Sequence, residues 1–243
     1  MKKVSDLHAR EIFLPEYLKA VEDLAYQYAA PPGNVLRALL PFSLIHKLPE
    51  HVRAEKKGTE RTQLPVYAYE APFEERLETY TGIIRSTFAK GGSVYVIAPT
   101  IEEVHLLYER LQKGIEHRSF LFTSAVPSKE ILARWKTAST STEPVLACMT
   151  SSFLALPRND LELIILERES ARTHRGLARP FLHAADSITA LGKHMRATVM
   201  FADEVLSVVT RARVLSGAYE AFEELRPRLR NTDHIHILDI RRD

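Results

Sequence analysis

Residues 143–170 read EPVLACMTSSFLALPRNDLELIILERES, and the reading of this stretch decides the fold. It holds two apolar runs, Val145–Ala147 and Leu161–Leu166. A hydroxyl-rich turn (Thr150, Ser151, Ser152) and a proline-closed loop, Pro157–Asp160, lie between them. The run Leu-Glu-Leu-Ile-Ile-Leu is too short for a helix and is flanked by turn formers, the pattern of a strand buried on both faces. Such strands belong to parallel sheets covered by helices, whose ligands sit beyond the carboxyl ends of the strands. Here the chain leaves that end as Glu167-Arg168-Glu169-Ser170 and then turns basic.

Working outward, strand and helix alternate. Leu64–Tyr69 reads as a strand, and Pro72 opens a helix that runs to about Ala89 and stops at Gly91-Gly92. Ser93–Ala98 is a second strand, and Thr100 with Glu103 forms a capping box for the helix that follows. His117–Phe122 reads as a strand, Pro127–Lys136 as a helix, His183–His194 as a helix and Ala197–Phe201 as a strand. Beyond Val205 the pattern loosens into a helix near Tyr219–Leu225 and a last strand, His234–Ile240. This alternation predicts an α/β fold with a parallel sheet and helices on both faces. Upstream, Leu18, Val21, Leu24, Ala25 and Tyr28 recur at helical spacing, and NVLRALLPF reads as a second short helix ended by Pro41. Two short helices make a poor core alone, so they are expected to dock on another element. The division is a helical appendage at 1–46, a charged linker at 47–63 and the α/β lobe at 64–243.

Bulk properties bound the function. Apolar content of 45% and charged content of 26% are those of a soluble globular protein. A net charge of +2 makes no case for a nucleic-acid binder, so only local clustering can. The single cysteine, Cys148, excludes an internal disulfide and a multi-cysteine zinc site, and its apolar surroundings mark an inert thiol. No apolar run reaches the roughly 18 residues of a membrane span. With no signal-peptide core in MKKVSDLHAREIF, a cytoplasmic protein is expected.

The first strand-to-helix turn of such a sheet is where phosphate binds, through glycine-freed N–H groups and a helix N-terminus. The turn here is Glu70-Ala71-Pro72-Phe73-Glu74-Glu75-Arg76-Leu77. Set against GxxxxGK[ST] it has no glycine, a leucine at the hydroxyl position and a donor-free proline. Glu70, Glu74 and Glu75 crowd the turn. A carboxylate about 4 Å from a phosphate charge costs about 4 kcal/mol even at an effective dielectric near 20. Phosphate is not expected to bind there, whereas Glu74 and Glu75 suit the positive end of their own helix.

Several segments in order resemble primosomal protein N′, the bacterial helicase family of replication restart. YLKAVEDLAYQYAAPPGNVLRALLP is similar to the end of its DNA-binding region, with Tyr28, Gly33, Leu36, Arg37 and Pro41 in matching places. SAVPSKEILARW matches its Ser…Glu…Trp segment through Ser124, Glu130 and Trp135. TSSFLALPRNDLELIILERES aligns without a gap to its Thr-Arg-Ser segment and Walker B strand. RPFLHAADSITAL keeps His183, Ala184 and Asp186 of a His-Ala-x-Asp, and DHIHILDIRRD resembles the segment leading out of the first helicase lobe. The resemblance implies a RecA-like (P-loop NTPase-like) lobe, DNA as ligand and replisome or primosome proteins as partners. Its second lobe and zinc insertion would follow Asp243, and its winged helix, expected between residues 45 and 64, is missing.

The departures fall on the ATP-handling motifs. Walker A is replaced at Glu70, Glu74, Glu75, Arg76 and Leu77, and Walker B reads Glu167, Arg168, Glu169, Ser170. Glu167 retains a carboxylate for magnesium, but Arg168 stands where the water-activating acid is expected, and a cation cannot act as that base. The Ser-Ala-Thr coupling motif becomes Phe201-Ala202-Asp203, and Ser151 replaces the arginine of the Thr-Arg-Ser segment. These losses imply a lobe without catalytic residues or a nucleotide cofactor. The alternatives are the first lobe of an active 3′-to-5′ helicase completed elsewhere and an α/β scaffold that binds no DNA.

The loop 168–183 gathers Arg168, Arg172, Arg175 and Arg179 with His174 and His183. Arginine forks suit phosphate oxygens, so Arg172, His174, Arg175 and Arg179 are candidate DNA contacts. The competing reading pairs the loop's cations with Glu167 and Glu169. Thr150, Ser151 and Ser152 add neutral donors to phosphate or cap a short helix. Arg226, Arg228 and Arg230 read as plain surface. His234 and His236 share a strand face but lack a third ligand, so no metal is expected. Ser170 with His174 has no oxyanion turn or glycine elbow to support hydrolase chemistry.

Overall fold

A computed structural model describes residues 12–41, 44, 47 and 64–223. All of the expected linker at 47–63 except Lys47, the basic run Arg226–Arg230, the His234/His236 pair and the last expected strand lie outside the described residues. Among the described residues, regular elements follow one another as α1 (Pro15–Gln27), α2 (Pro32–Leu39), β1 (Val66–Glu70), α3 (Phe73–Ala89), β2 (Ser93–Ile97), α4 (Ile101–Leu111), β3 (Ser119–Phe122), α5 (Ser128–Thr140), β4 (Leu146–Met149), β5 (Leu161–Glu167), α6 (Ala184–Met195), β6 (Thr198–Asp203), α7 (Val208–Leu215) and β7 (Glu220–Ala221). The sheet order is β3-β4-β2-β5-β6-β1-β7, and every pairing is parallel. The fold is the expected α/β, RecA-like parallel sheet with helices on both faces.

The central strands alternate between two cores, because successive side chains point to opposite faces. On β5, Leu161, Ile164 and Leu166 enter one core and Leu163 and Ile165 the other. The first core packs under α1, α2, α5 and α6 through residues such as Leu24, Trp135 and Ile188. The second packs under α3 and α4 through Leu77, Tyr80, Ile84, Val104 and Leu107. Cys148 on β4 is buried in this second core, and burial pushes its thiol up, as expected for an inert residue. Arg158 holds the β4–β5 connection. Its Nη1 donates to the carbonyls of Ala138 and Ser141, both at 2.7 Å, and its Nε to Asp160 Oδ1 at 2.7 Å.

The N-terminal helices dock as their sequence requires. Apolar Leu14, Tyr17, Val21 and Leu24 join the core over α6. Tyr28 donates to Asp186 Oδ2, and the His183 N–H donates to the Tyr28 hydroxyl at 3.0 Å. Asp23 receives Lys193 Nζ at 2.9 Å and His194 Nε2 at 2.7 Å. Among the described residues, no helix is long and apolar enough to cross a membrane.

One expectation fails. The helix placed near Tyr219–Leu225 is instead α7, at Val208–Leu215, and Glu220–Ala221 forms the short edge strand β7 beside β1. Only Thr210 of α7 is buried, so the helix carries no core-facing apolar stripe. It is set by its cap, Ser207 Oγ accepting from the Thr210 N–H at 3.2 Å.

Gly192 on α6 faces Val199 on β6 so closely that a Cβ there would lie 2.3 Å from Val199 Cγ2 and 3.1 Å from the Ala197 carbonyl oxygen. Gly192→Ala is therefore expected to destabilise the fold despite alanine's better helix propensity, with overpacking of about 1–3 kcal/mol outweighing a gain of about 1 kcal/mol. A lower urea midpoint at unchanged m-value is the signature; a raised midpoint refutes it.

Candidate functional site: the carboxyl edge of the sheet

Strand order brings distant acids together. β6 lies between β1 and β5, with Glu70 in register with Asp203 and Glu167 with Ala202. The helix that follows β1 then lays its first turns across the end of β5. Arg76 comes from that helix and Glu167 from the last position of β5, and each is only 2% exposed. Arg76 Nε donates to Glu167 Oε2 at 3.1 Å and Arg76 Nη2 to Oε1, a two-pronged pair. Tyr80, one turn further along α3, donates its hydroxyl to Glu167 Oε2 at 2.6 Å. The remaining guanidinium nitrogen, Nη1, donates to the Ala71 carbonyl. Burial pulls the Arg76 guanidinium down, and the Glu167 carboxylate outweighs it, leaving the group firmly charged. Burial, reinforced by Glu167, drives the Tyr80 phenol up, so it stays a donor.

The other acids are engaged as well. Glu70 accepts Arg211 Nη2 on both oxygens, at 2.5 and 2.6 Å, and the Leu206 N–H at 3.1 Å. Glu169 accepts the N–H of Ser207 and its hydroxyl, the latter at 3.1 Å. Asp203 Oδ2 accepts the Ser170 N–H at 3.0 Å and hydroxyl at 2.7 Å, and its Oδ1 takes the Glu204 N–H at 2.7 Å. Glu74 receives Arg110 Nη2 at 2.8 Å on the surface. The edge acids thus hold α3, α7 and the β5 and β6 ends to one another.

A nucleotide with magnesium, which a RecA-like fold implies, does not fit this edge. Residues 70–77 offer carboxylates where a cradle needs free N–H groups, and the Ala71 N–H already donates to the Asp203 carbonyl at 3.1 Å. Glu167, expected to retain a metal-binding carboxylate, has both oxygens taken by Arg76 and Tyr80. Arg76 occupies the lysine position of the replaced motif, and its guanidinium supplies the positive charge internally. Leu77 is buried in the second core and offers no hydroxyl.

The basic loop departs from expectation in several respects. Arg168, in the left-handed region at φ 51°, pairs with Glu103 of α4, which strengthens its charge. His174 is 1% exposed and cannot reach a phosphate; its Nε2 bonds the Glu167 carbonyl at 2.9 Å. It anchors the loop instead. The reading that pairs the loop's cations with Glu167 and Glu169 is also set aside, since those acids take Arg76 and Ser207. Arg172, Arg175 and Arg179 are exposed and make no ion pair among the described residues. Arg175 bridges to His183, and the Gly176 N–H donates to the Leu182 carbonyl at 2.7 Å, closing a tip on which Leu177 is 98% exposed. Thr150, Ser151 and Ser152 follow β4 at the same edge, half-buried, with Thr150 Oγ1 and Ser152 Oγ 3.0 Å apart around a short 3-10 turn. β2 stands between β4 and β5, separating them from the arginine loop. Sequence reasoning missed Arg76 and Tyr80 as the partners of Glu167. The only local signal was a cation in place of the lysine.

Arg76→Met leaves Glu167 buried without its cation and is expected to cost about 3–5 kcal/mol. Adding Glu167→Gln to that variant should recover most of the loss. Urea unfolding of the wild type and both variants decides, and an unchanged single variant excludes a structural role for the pair. Burial lowers the His174 pKa below its ordinary value. The unfolded state then binds the proton more readily. The associated stability is complete above the unfolded pKa of about 6.5 and is lost as pH falls through the lower folded value. His174→Gln should remove this component from the pH dependence of unfolding; an unaltered profile refutes the assignment.

No protein-family model matches the chain, and no curated protein matches it.

Proposed function

We propose that this chain is a non-hydrolysing, DNA-binding lobe resembling the primosomal protein N′ family, and that it serves replication restart by recognising DNA and replisome proteins. The observation that carries the reading is the Arg76–Glu167 pair. A buried internal ion pair stands where a motor of this fold would hold magnesium and triphosphate, while the loop after β5 presents Arg172, Arg175 and Arg179 to solvent. Three guanidinium groups on one anchored loop, without an ion pair among the described residues, suit phosphate oxygens. The Thr150–Ser152 turn on the same edge adds neutral donors. Affinity from such contacts is electrostatic, so forked or single-stranded DNA would be held by its backbone and released by salt.

Fluorescence anisotropy with a labelled forked DNA tests this reading. Binding is expected to weaken with salt, and replacing Arg172, Arg175 and Arg179 together by alanine should lower the log–log salt slope by about 2–3. Binding absent at low salt leaves only an α/β scaffold, and binding unaltered in the triple variant refutes the arginine loop as the DNA contact. Magnesium-dependent, micromolar binding of a non-hydrolysable ATP analogue would instead restore the helicase reading.

A further inference from the structure

At the opposite edge of the sheet, where β2 and β3 begin, a hollow of about 270 Å³ opens between the end of α3 and the turn leading into β3. Its walls are Ile84, Arg85, Phe88, Ala89, Ile115 and Arg118. The floor is apolar and the rim cationic. The Arg118 guanidinium lies 5.1 Å from the Phe88 ring centroid, and its Nε is buried without a hydrogen-bond partner. Arg85 is exposed, and among the described residues neither arginine forms an ion pair. Lys90 caps α3 directly after Ala89, and Lys113 lies two residues before Ile115, both exposed. The one acid in this turn, Glu116, is turned back to accept the Gly114 N–H at 2.9 Å.

The hollow is smaller than the roughly 300–1,000 Å³ typical of small-molecule sites. It has room for one large side chain, the geometry of an anchor pocket in a protein interface. A nucleic-acid base fits less well, because the Phe88 ring that would stack on it is covered by Arg118. Charge complementarity then fixes the character of the occupant.

We propose that this hollow is a docking site for an acidic peptide segment of a protein partner, which inserts one apolar side chain against Ile84, Ala89 and Ile115 and sets its carboxylates on Arg85 and Arg118. The site is separate from the arginine loop, which lies beyond the other ends of the strands, and it stands or falls independently of the DNA reading.

Panning a random-peptide phage library on the full chain tests it. The expected consensus is an aromatic or large aliphatic residue flanked by Asp or Glu. A synthetic peptide of that consensus should bind in anisotropy, and Arg118→Ala should weaken it about tenfold or more. Arg85→Glu, a change at an exposed position that leaves the core intact, should weaken it likewise, while forked-DNA binding is unaltered. No enrichment, a consensus without acids, or binding indifferent to both substitutions overturns the proposal. Displacement of the peptide by oligo-dT, with oligo-dT binding lost in Arg85→Glu, overturns it in favour of a nucleic-acid site.

Discussion

The carboxyl edge depends on one contact, the buried pair between Arg76 and Glu167. Two charges removed from water cost several kcal/mol each, and their mutual attraction offsets this only with good geometry and further hydrogen bonds. Both conditions are met here. The guanidinium is two-pronged on the carboxylate and also donates to the Ala71 carbonyl, while Tyr80 satisfies the second carboxylate oxygen. The pair fixes the first turns of α3 against the end of β5, so neither element can shift without leaving a bare charge in the interior.

The rest of the edge repeats the same logic with weaker means. Glu70 clasps α7 through Arg211, Glu169 holds the cap residue Ser207, and Asp203 holds Ser170. These contacts convert a region that in a nucleotide-binding sheet faces a ligand into internal bracing. Acidic side chains at such a place would repel a phosphate, yet each is matched here by a donor from its own chain. Among the groups this edge leaves outward, Arg172, Arg175 and Arg179 make no ion pair with the described residues. The loop after β5 is anchored from within by His174 and from α4 by Glu103, and its remaining arginines face solvent.

Much of the architecture was legible because burial writes itself into short sequence patterns. The Leu161–Leu166 run announced a doubly covered strand, and Thr100 with Glu103 announced the start of α4, where the Thr100 hydroxyl accepts the Glu103 N–H at 3.3 Å. The helix α7 escaped because Val208, Val209 and Leu215 face solvent and Val214 rests on the core without forming a stripe. A helix without a buried stripe lacks the periodicity by which helices are read. The two-residue strand β7 is too short to leave any pattern, and its place depends on the β1 edge it pairs with and on Phe222 packing against Tyr67 and Tyr69.

The sequence by itself determined the parallel α/β class, the absence of a glycine cradle at residues 70–77 and the basic character of the loop after β5. Each is a local property, set by side-chain size, backbone freedom or charge within a few residues. Only the tertiary structure decided what Glu167 is for. Its partner lies 91 positions away on a helix that reaches it because β6 inserts between β1 and β5. The same assembly buried His174 and left its arginine neighbours outside. Sequence carries the charges, but whether a charge meets water, a ligand or another charge is settled by which strands become neighbours.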